Sequence, residues 1–411
     1  MELREVPKEK FQKELHLKAV KVPLKECNNL KQDHRSLLLK IHKQENTIAC
    51  PGSKDHKLLL LDPSIAEIPE TLINYEILPH TILLGYDHFS AEEVLREILP
   101  NGTVIPTGFE TIGHIAHYNL KPEHMPYRYI IGQVTIDKSP SIKTVVTKLS
   151  KIESVFRTFE MEVIGGEDKL DTEVKEGNCI FNFNFRDVYW NSKLAFERIR
   201  VVGTLKPNEI ICDMFAGVGP FAIKAAKLGC RVIANDLNPS CYEWLVKNSL
   251  RNKVAKNLSA YNMDAREFII QLLNTPREEV KCDDMLRAPP MQTLPSVFHH
   301  IYMNLPMDAI EFLDVFKWRF NPDVWKELPV IHVYGFSSVP NGSELVDRIK
   351  AAWGDFDTSN FKLVTVRDVS PRKFMFCVEF RIPEEIAFNP KRAGDQISPD
   401  PEKKHKHINL A

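Results

Sequence analysis

The sequence lacks the features that mark secreted, membrane-spanning and zinc-ribbon proteins. Its eight cysteines include no C-x-x-C pair, which argues against a zinc ribbon and against a disulfide framework. No apolar run approaches the roughly 18 residues that a membrane-spanning helix needs. The first residues alternate in charge without an apolar segment and hold too much glutamate for a mitochondrial transit peptide, so we predict no secretory signal. We therefore expect an intracellular protein with reduced thiols.

The sequence also has little net charge. Its 54 Lys and Arg residues against 55 Asp and Glu give a net charge of −1, which by itself indicates no nucleic-acid partner. Residues 1–60, however, hold 13 Lys and Arg against 8 Asp and Glu. A basic end on a neutral chain hints at a polyanionic partner, although a solvated helix face explains it as well.

The length of 411 residues suggests two or three domains, and 43% hydrophobic residues are enough to fill their cores. We predict an N-terminal helical, basic region over 1–100 and a small α/β module over 101–188. A catalytic domain follows over 189–388. The polar stretch 389–411 is predicted to be a disordered tail.

Local patterns before residue 190 mix helical and strand signals. Residues 1–75 read as mostly helical and amphipathic, and Ser90 with Glu93 forms a capping box that predicts a helix over 90–99. The spacing predicts a helix over 141–149. Strands are predicted over 104–106, 112–118, 129–136, 159–164 and 178–188.

Beyond residue 192 strands and helices alternate strictly. Such alternation predicts a parallel sheet with helices on both faces. The last two predicted strands, 362–369 and 373–382, are separated by too few residues for a parallel crossover and must pair antiparallel. The predicted fold class is therefore α/β, with a Rossmann-like, mostly parallel sheet that carries a C-terminal antiparallel strand.

A glycine loop follows the first strand of this alternating region, in I-I-C-D-M-F-A-G-V-G-P-F-A-I at 210–223. Gly217 and Gly219 allow a tight turn and close approach of the backbone to a ligand. The next strand ends in N-D-L-N-P, which puts Asp236 where such folds place a carboxylate for a ribose diol. Together these features indicate a nucleoside cofactor.

The loop favours S-adenosylmethionine over a dinucleotide. The third glycine of the dinucleotide fingerprint is missing, and Pro220 removes one N–H donor, which counts against a dehydrogenase. Asp213 lies in the loop mouth, where it would repel a phosphate and attract an ammonium or sulfonium group. Asp264 after the third strand could accept from an adenine amino group, or could simply be the N-cap of the next helix.

The fourth strand of the region ends in M-N-L-P-M at 303–307. This turn is similar to the (Asp/Asn)-Pro-Pro-(aromatic) element of methyltransferases that act on planar nitrogens. It would place the Asn304 amide beside the target nitrogen. Met307 stands where those enzymes have an aromatic residue, and a bare Asn-Leu-Pro is also common in ordinary turns.

Taken in order, these motifs resemble the eukaryotic and archaeal tRNA (guanine-N1)-methyltransferases, which modify guanosine 37 beside the anticodon. The resemblance starts upstream of D-V-Y-W-N-S-K-L-A-F-E-R at 187–198 and covers roughly 105–385. One departure is W-N-S-K, where the family has a Pro and an Arg. Ser192 and Lys193 stand there instead, and Lys193 keeps the charge but loses the planar donor fork.

The resemblance implies a role for individual residues. Glu197 would be the general base, Arg157 would face O6 of the guanine, and Asn304 would hold the base edge. These are residue types suited to removing a proton from N1 and stabilising charge on O6. The residues expected at the cofactor are Arg198, Asp213, Phe215, Gly217, Gly219, Asp236, Leu237, Asp264, Ala265 and Asn304.

The resemblance also implies partners and compartments. The anticodon loop of tRNA would meet the catalytic domain, and a distant folded part of the tRNA would dock on residues 1–100. The reaction would also be the first step toward wybutosine in tRNAs that carry it. We expect a monomer with no membrane partner, in the cytoplasm and nucleus, with the mitochondrial matrix left open.

Two other functions stay open at this point. An aminocarboxypropyl transferase of wybutosine synthesis would share the fold and the cofactor, and a tRNA-binding protein without catalysis would share the surface. The Glu197-Arg198 pair and the Arg157 segment favour methyl transfer. Three aromatic residues, Phe181, Phe183 and Phe185, are predicted to be core rather than an RNA platform, and His299-His300 is not expected to bind a metal.

Overall fold

A computed structural model of the protein describes residues 4–65, 67–149, 160–274 and 297–389. The described residues fall into two compact units, one up to residue 172 and one from residue 173 onward. None of the described helices is long and apolar enough to cross a membrane.

Among its described residues the first unit contains eight strands and four α-helices. The strands are β1 Lys13–Pro23, β2 Thr47–Ala49, β3 His56–Leu60, β4 Glu76–Leu84, β5 Glu110–Ile112, β6 Ile115–Tyr118, β7 Thr144–Lys148 and β8 Met161–Gly166. The helices are α1 Cys27–Asp33, α2 Glu70–Ile73, α3 Ala91–Ile98 and α4 Arg128–Lys138.

The N-terminal part is an antiparallel sheet of order β2-β3-β1-β4, so the predicted helical character of residues 1–75 is wrong. The second half of central strand β1 is covered on both faces. Leu17 and Ala19 lie in one apolar cluster, and Val20 and Val22 lie in another. A strand with one exposed face alternates apolar and polar residues, whereas a strand buried on both faces does not. The apolar spacing of this segment therefore resembled that of an amphipathic helix.

The second sheet of this unit has the order β5-β6-β7-β8 and reverses two predictions. Residues 129–136 belong to helix α4, not to a strand, and residues 144–148 form strand β7, not a helix. Helix α4 is rich in β-branched residues, which favour strands and led to the strand prediction. These residues are largely buried, and their packing outweighs that preference. At Gly132 a Cβ atom would lie 2.1 Å from the carbonyl oxygen of Ile164, so glycine lets α4 approach β8 closely.

Other predictions in this unit have mixed outcomes. The capping box of α3 is confirmed, since Ser90 Oγ accepts from the Glu93 amide and the Glu93 carboxylate accepts from the Ser90 amide. Residues 112–118 form a hairpin of β5 and β6 rather than one strand, and 104–106 form none. Helix α3 packs into the same core as α4, so the predicted boundary at residue 100 differs from the packing.

The second unit contains nine strands and six helices in its described parts. The strands are β9 Asp171–Glu176, β10 Cys179–Asn184, β11 Ile210–Asp213, β12 Arg231–Asn235, β13 Leu258–Tyr261, β14 His300–Met303, β15 Val330–Ser337, β16 Lys362–Ser370 and β17 Lys373–Arg381. The helices are α5 Ala195–Val202, α6 Ala222–Leu228, α7 Pro239–Arg251, α8 Ala265–Asn274, α9 Ser343–Trp353 and α10 Glu384–Ala387.

The seven-stranded sheet of this unit confirms the predicted fold class. Its order is β13-β12-β11-β14-β15-β17-β16, with the first five strands parallel and β17 antiparallel to both neighbours. The chain reverses its direction of growth between β11 and β14. In sheets of this kind ligands bind in the crevice at the carboxyl ends of the strands beside that point.

The β9–β10 hairpin packs on helix α7 through two asparagines. The amide oxygens of Asn248 and Asn252 accept from the backbone of β10, and their amide nitrogens donate back to its carbonyls. The three phenylalanines predicted to be core are buried: Phe181, Phe183 and Phe185.

Candidate cofactor and catalytic site

The glycine loop after β11 is held by the acid at the end of β12. Asp236 Oδ2 accepts from the Gly217 amide at 2.7 Å, and its Oδ1 accepts from the Asn238 amide at 2.9 Å. Both loop glycines have positive φ, 56° at Gly217 and 91° at Gly219. At Gly219 a Cβ atom would lie 2.6 Å from Leu245 Cδ1, whereas at Gly217 it would meet nothing within 4 Å. Gly217 therefore offers open backbone to a ligand. Asp236 also accepts from the Cys241 thiol, so these three donors leave about one lone-pair site on the carboxylate for a ligand hydroxyl.

Asp213, at the end of β11, carries a buried carboxylate. Its Oδ1 accepts from the Phe215 amide at 3.3 Å, while Oδ2 has no hydrogen-bond partner within the described ranges. Burial raises the pKa of Asp213 well above its usual range, and the neighbouring Asp236 charge adds to this. Burial also raises the pKa of Asp236. The charged forms of these two carboxylates are therefore unfavourable without a ligand. A ligand that brings positive charge and hydrogen-bond donors would stabilise them, as S-adenosylmethionine does.

Two asparagines that the sequence did not single out hold the strand ends together. The Asn235 amide group donates to the carbonyls of Met214 and Met263, and Asn262 donates to those of Asp236 and Leu237. Both asparagines sit next to motif residues, but nothing in their type distinguished a scaffold role. They fix the three loops that follow β11, β12 and β13.

Four more of the predicted cofactor residues lie on these loops or at the start of the next helix. Asp264 Oδ1 accepts from the Arg266 amide at 2.9 Å. Asp264 therefore caps the N-terminus of helix α8, which is one of its two predicted roles. Ala265 is buried and Leu237 is 43% exposed. Phe215 packs edge-on against Phe312.

Asn304, after β14, also has a buried side-chain oxygen. Its Nδ2 donates to Tyr302 Oη at 3.4 Å, and its Oδ1 has no hydrogen-bond partner in the described part of the chain. The amide is thus oriented with an acceptor free for a donor on a ligand. Met307 is 52% exposed, so this turn offers a thioether rather than an aromatic ring.

Glu197 lies in the first turn of α5 with its carboxylate buried. Oε1 accepts from Tyr334 Oη and from Arg200 Nη2, and Oε2 accepts from Arg200 Nε, each at 2.7 Å. Arg200 also forms an ion pair with Glu379 at 2.6 Å. The spacing of Glu197 and Arg200 on one helix could have revealed their pairing, but Tyr334 and Glu379 come from distant strands.

Arg198, predicted to touch the cofactor, has its guanidinium in a buried ionic cluster. It donates to Glu176 at 2.6 Å and to the Asn191 carbonyl at 3.0 Å. Glu176 also accepts from Lys224 at 2.8 Å. Burial lowers the pKa of Lys224, and Glu176 opposes that shift. The cofactor contact of Arg198 stays a prediction.

Three further residues were singled out from the sequence: Ser192 and Lys193, which depart from the family motif, and Arg157, which was predicted to face O6. Ser192 Oγ accepts from the Trp190 indole at 3.0 Å, which gives the serine a local role in place of proline. Lys193 is exposed. Arg157 lies outside the described residues.

A second polar cluster lies across β14, β15 and β17. His332, Cys377 and Glu379 are close enough to hold a metal ion, but Glu379 already pairs with the cations of Arg200 and Lys362, which disfavours one. His300 is hydrogen-bonded to His332 at 3.0 Å. Burial, with His332 beside it, lowers the pKa of His300 to about 4.

Comparisons with known proteins point to one family. The family model described as "TRM5/TYW2 methyltransferase domain" matches residues 172–353, and that of the "TYW2 N-terminal domain" matches residues 91–169. The tRNA (guanine(37)-N(1))-methyltransferase of Phytophthora infestans is 38% identical over 94% of each chain. The human protein of that name is 36% identical over 95% of this chain and 78% of its own.

Solved structures agree with this. Trm5b from Pyrococcus abyssi is 28% identical, with a TM-score of 0.60 over 89% of this chain and 99% of that one. The structure titled "The complex structure of aTrm5 and tRNALeu" superposes with a TM-score of 0.63 over 89% of this chain and 99% of that one; at 21% identity it supports the fold alone.

Proposed function

The chain belongs to the tRNA (guanine(37)-N(1))-methyltransferase family, and from that membership we propose which of its residues carry the reaction. It is an S-adenosylmethionine-dependent methyltransferase that acts on N1 of guanosine 37 in tRNA. The observation that best supports the assignment of its site is that Asp213 and Asn304 each have a buried oxygen without a hydrogen-bond partner among the described residues. Both lie at the carboxyl ends of the two strands that flank the crevice.

We assign the proton transfer to Glu197. Guanine N1 carries a proton at neutral pH and must lose it as the new bond forms, which calls for a positioned base. S-adenosylmethionine supplies the electrophilic methyl group. The Glu197 carboxylate accepts the N1 proton, and Asn304 Oδ1 accepts from an N–H on the base edge. Arg157 is assigned to O6 from the sequence alone, where a guanidinium would stabilise the developing negative charge.

We assign cofactor binding to the three strand-end loops. Asp236 would accept from the ribose hydroxyls, and Asp213 Oδ2 would accept from the ammonium group. Leu237, Asp264 and Ala265 would line the adenine.

Aminocarboxypropyl transfer remains the second candidate, because the matching N-terminal model is named for TYW2. The relatives at 35–38% identity are all named as methyltransferases, which favours methyl transfer. We further propose that the product serves as the first intermediate of wybutosine where a tRNA carries it. A monomer in the cytoplasm and nucleus is proposed on the resemblance alone, and the mitochondrial matrix stays open.

A transcript assay tests this assignment. We expect label from S-adenosylmethionine to enter a tRNA transcript with G37 and not one with A37, with a product mass increase of one methyl group. An aminocarboxypropyl mass would establish the second candidate, and equal labelling of both transcripts would refute the assigned position.

A substitution tests the assigned base. Glu197→Gln keeps the shape but cannot accept a proton, so the single-turnover rate should fall about 10²–10⁴-fold while S-adenosylmethionine binding persists. A variant with nearly the wild-type rate would return Glu197 to a structural role.

A further inference from the structure

We propose that Arg200 and Tyr334 are positioning residues that hold Glu197 so that a single acceptor site on Oε2 is left for the proton of the guanine. This inference rests on the proposed role of Glu197 as the base. Neither residue is expected to touch the substrate; both act through the carboxylate.

The hydrogen bonds at Glu197 carry the proposal. A carboxylate offers about four lone-pair sites, two on each oxygen. Oε1 has both sites filled, by Tyr334 Oη and Arg200 Nη2, and Oε2 has one filled, by Arg200 Nε. Among the described residues no other donor reaches the carboxylate. The remaining site on Oε2 is therefore where a proton can be accepted without breaking an existing bond.

Arg200 is itself fixed from the opposite side. Its Nη1 lies 2.6 Å from Glu379 Oε1, and Glu379 also pairs with Lys362 at 3.0 Å. Burial would raise the pKa of Glu379, but His332, Lys362 and Arg200 outweigh it and lower that pKa. Glu379 therefore stays charged and anchors the guanidinium, which spans from strand β17 to helix α5. Such a fork restrains the plane of the Glu197 carboxylate, which a single-point contact would leave free to rotate.

Tyr334 connects Glu197 to Asn304, another predicted catalytic side chain. Its ring is fully buried, and burial raises its pKa well above the usual value, so the hydroxyl stays a donor. Its ring packs edge-on against Tyr302, the residue to which Asn304 donates. Neighbouring strands β14 and β15 thus set Glu197 and Asn304 relative to each other through two buried tyrosines.

Double-mutant cycles with Glu197→Gln test the proposal on the full-length protein. Arg200→Ala and Tyr334→Phe should each lower the single-turnover rate roughly tenfold to a hundredfold, the range of a hydrogen bond to a charged group. Arg200→Lys keeps the charge without the fork and should fall in between. The KM for tRNA and the affinity for S-adenosylmethionine should stay within about twofold. In the Glu197→Gln background the same substitutions should have almost no further effect on the rate.

Matched controls remove equivalent groups elsewhere. Arg251→Ala removes an arginine that pairs with a glutamate on the surface of the same unit, and Tyr118→Phe removes a buried hydroxyl that bonds Thr135. Both should retain the wild-type rate. If Arg200→Ala does not fold, Tyr334→Phe and Arg200→Lys carry the test.

The outcomes separate the two proposals. Should Arg200 or Tyr334 variants slow Glu197→Gln by the same factor as the wild type, the positioning role is refuted and the base assignment survives. A loss confined to KM or to cofactor affinity refutes it too. A Glu197→Gln enzyme with the wild-type rate refutes the base itself.

Discussion

Burial makes the charges of Asp213 and Asp236 costly in the free protein. Each has a pKa raised above its usual value, because the apolar strand ends around it penalise the charged form. Asp213 also keeps one oxygen without a partner in the described part of the chain. A residue that destabilises the free protein in this way is expected where a ligand completes its hydrogen bonds.

Asp213→Asn should therefore stabilise the free protein and weaken cofactor binding. Because the folded pKa of Asp213 lies above the unfolded value, the unfolded chain releases this proton first, and folding stability falls as pH rises above the ordinary aspartate value of 3.8. Asparagine removes that loss, so denaturant unfolding should show a gain at pH 7 that shrinks at lower pH. Calorimetry should show affinity for S-adenosylmethionine lowered by about tenfold or more.

The exposed Asp323 supplies the control, and Asp323→Asn should change neither quantity. A destabilised Asp213→Asn protein with unchanged affinity would contradict the ligand role of Asp213.

Motifs located the acids and amides of the site, but not their partners. Asp236 and Asn304 each follow a predicted strand of a parallel sheet. Their placement at the same edge of that sheet could therefore be foreseen from the order of strands and helices in the sequence. The contacts with distant strands could not: Tyr334, which donates to Glu197, and Glu379, which pairs with Arg200, lie more than a hundred residues further along the chain. Which strands bring them to helix α5 is decided by the tertiary fold. Arg198 is a similar case: it follows the proposed base Glu197 in sequence, but its ionic partner Glu176 is on β9.

Helix α5 is held in place by charge as well as by packing. Glu176 accepts from Arg198 of α5 and from Lys224 of α6, and all three side chains are buried. The helix that carries Glu197 is thereby joined to the helix that follows the glycine loop.

Glu176→Gln should be costly because it leaves two buried cations without their carboxylate. Breaking a buried ion pair by removing one partner costs about 3–5 kcal/mol of unfolding free energy. Denaturant unfolding of the full chain would measure this. Glu173→Gln, which breaks an exposed pair with Arg251 at 3.5 Å, should cost at most about 1 kcal/mol. Equal losses in the two variants would show that the cluster contributes no more than a surface pair.

Elements were predictable where pattern and burial agree. The alternating strands and helices of the second unit follow their sequence closely, because buried parallel strands read as short apolar runs between clear helix signals. Helix α4 and strand β1 were misread for one shared reason. Helix α4 and the second half of β1 are buried on nearly all sides, so their apolar residues report burial rather than period.

Deleting the N-terminal segment would disrupt the core of the first unit. Removing residues 1–100, the segment predicted to dock tRNA, would delete Phe11, Tyr86, Val94 and Leu95 from the core that α4 and β7 share. Such a deletion would unfold the remainder of the first unit, and any loss of tRNA binding would have no clear meaning. Surface substitutions in the intact chain avoid this.

Exposed lysines of the N-terminal sheet region give the sharper test of tRNA docking. Lys13 and Lys18 on β1 and Lys31 on α1 are exposed, so their replacement by glutamine should leave the fold intact. If they bind phosphates, KM for tRNA should rise several-fold, and the slope of log affinity against log salt should fall by roughly 0.7–0.9 for each phosphate that is no longer neutralised. The single-turnover rate at saturating tRNA should not change. Glu14→Gln, on the same strand, is the control for altered surface charge and should not reduce the slope. A triple variant with the wild-type salt slope would mean that the basic N-terminal segment is a solvated surface, and the phosphate-binding residues would then have to lie elsewhere on the protein.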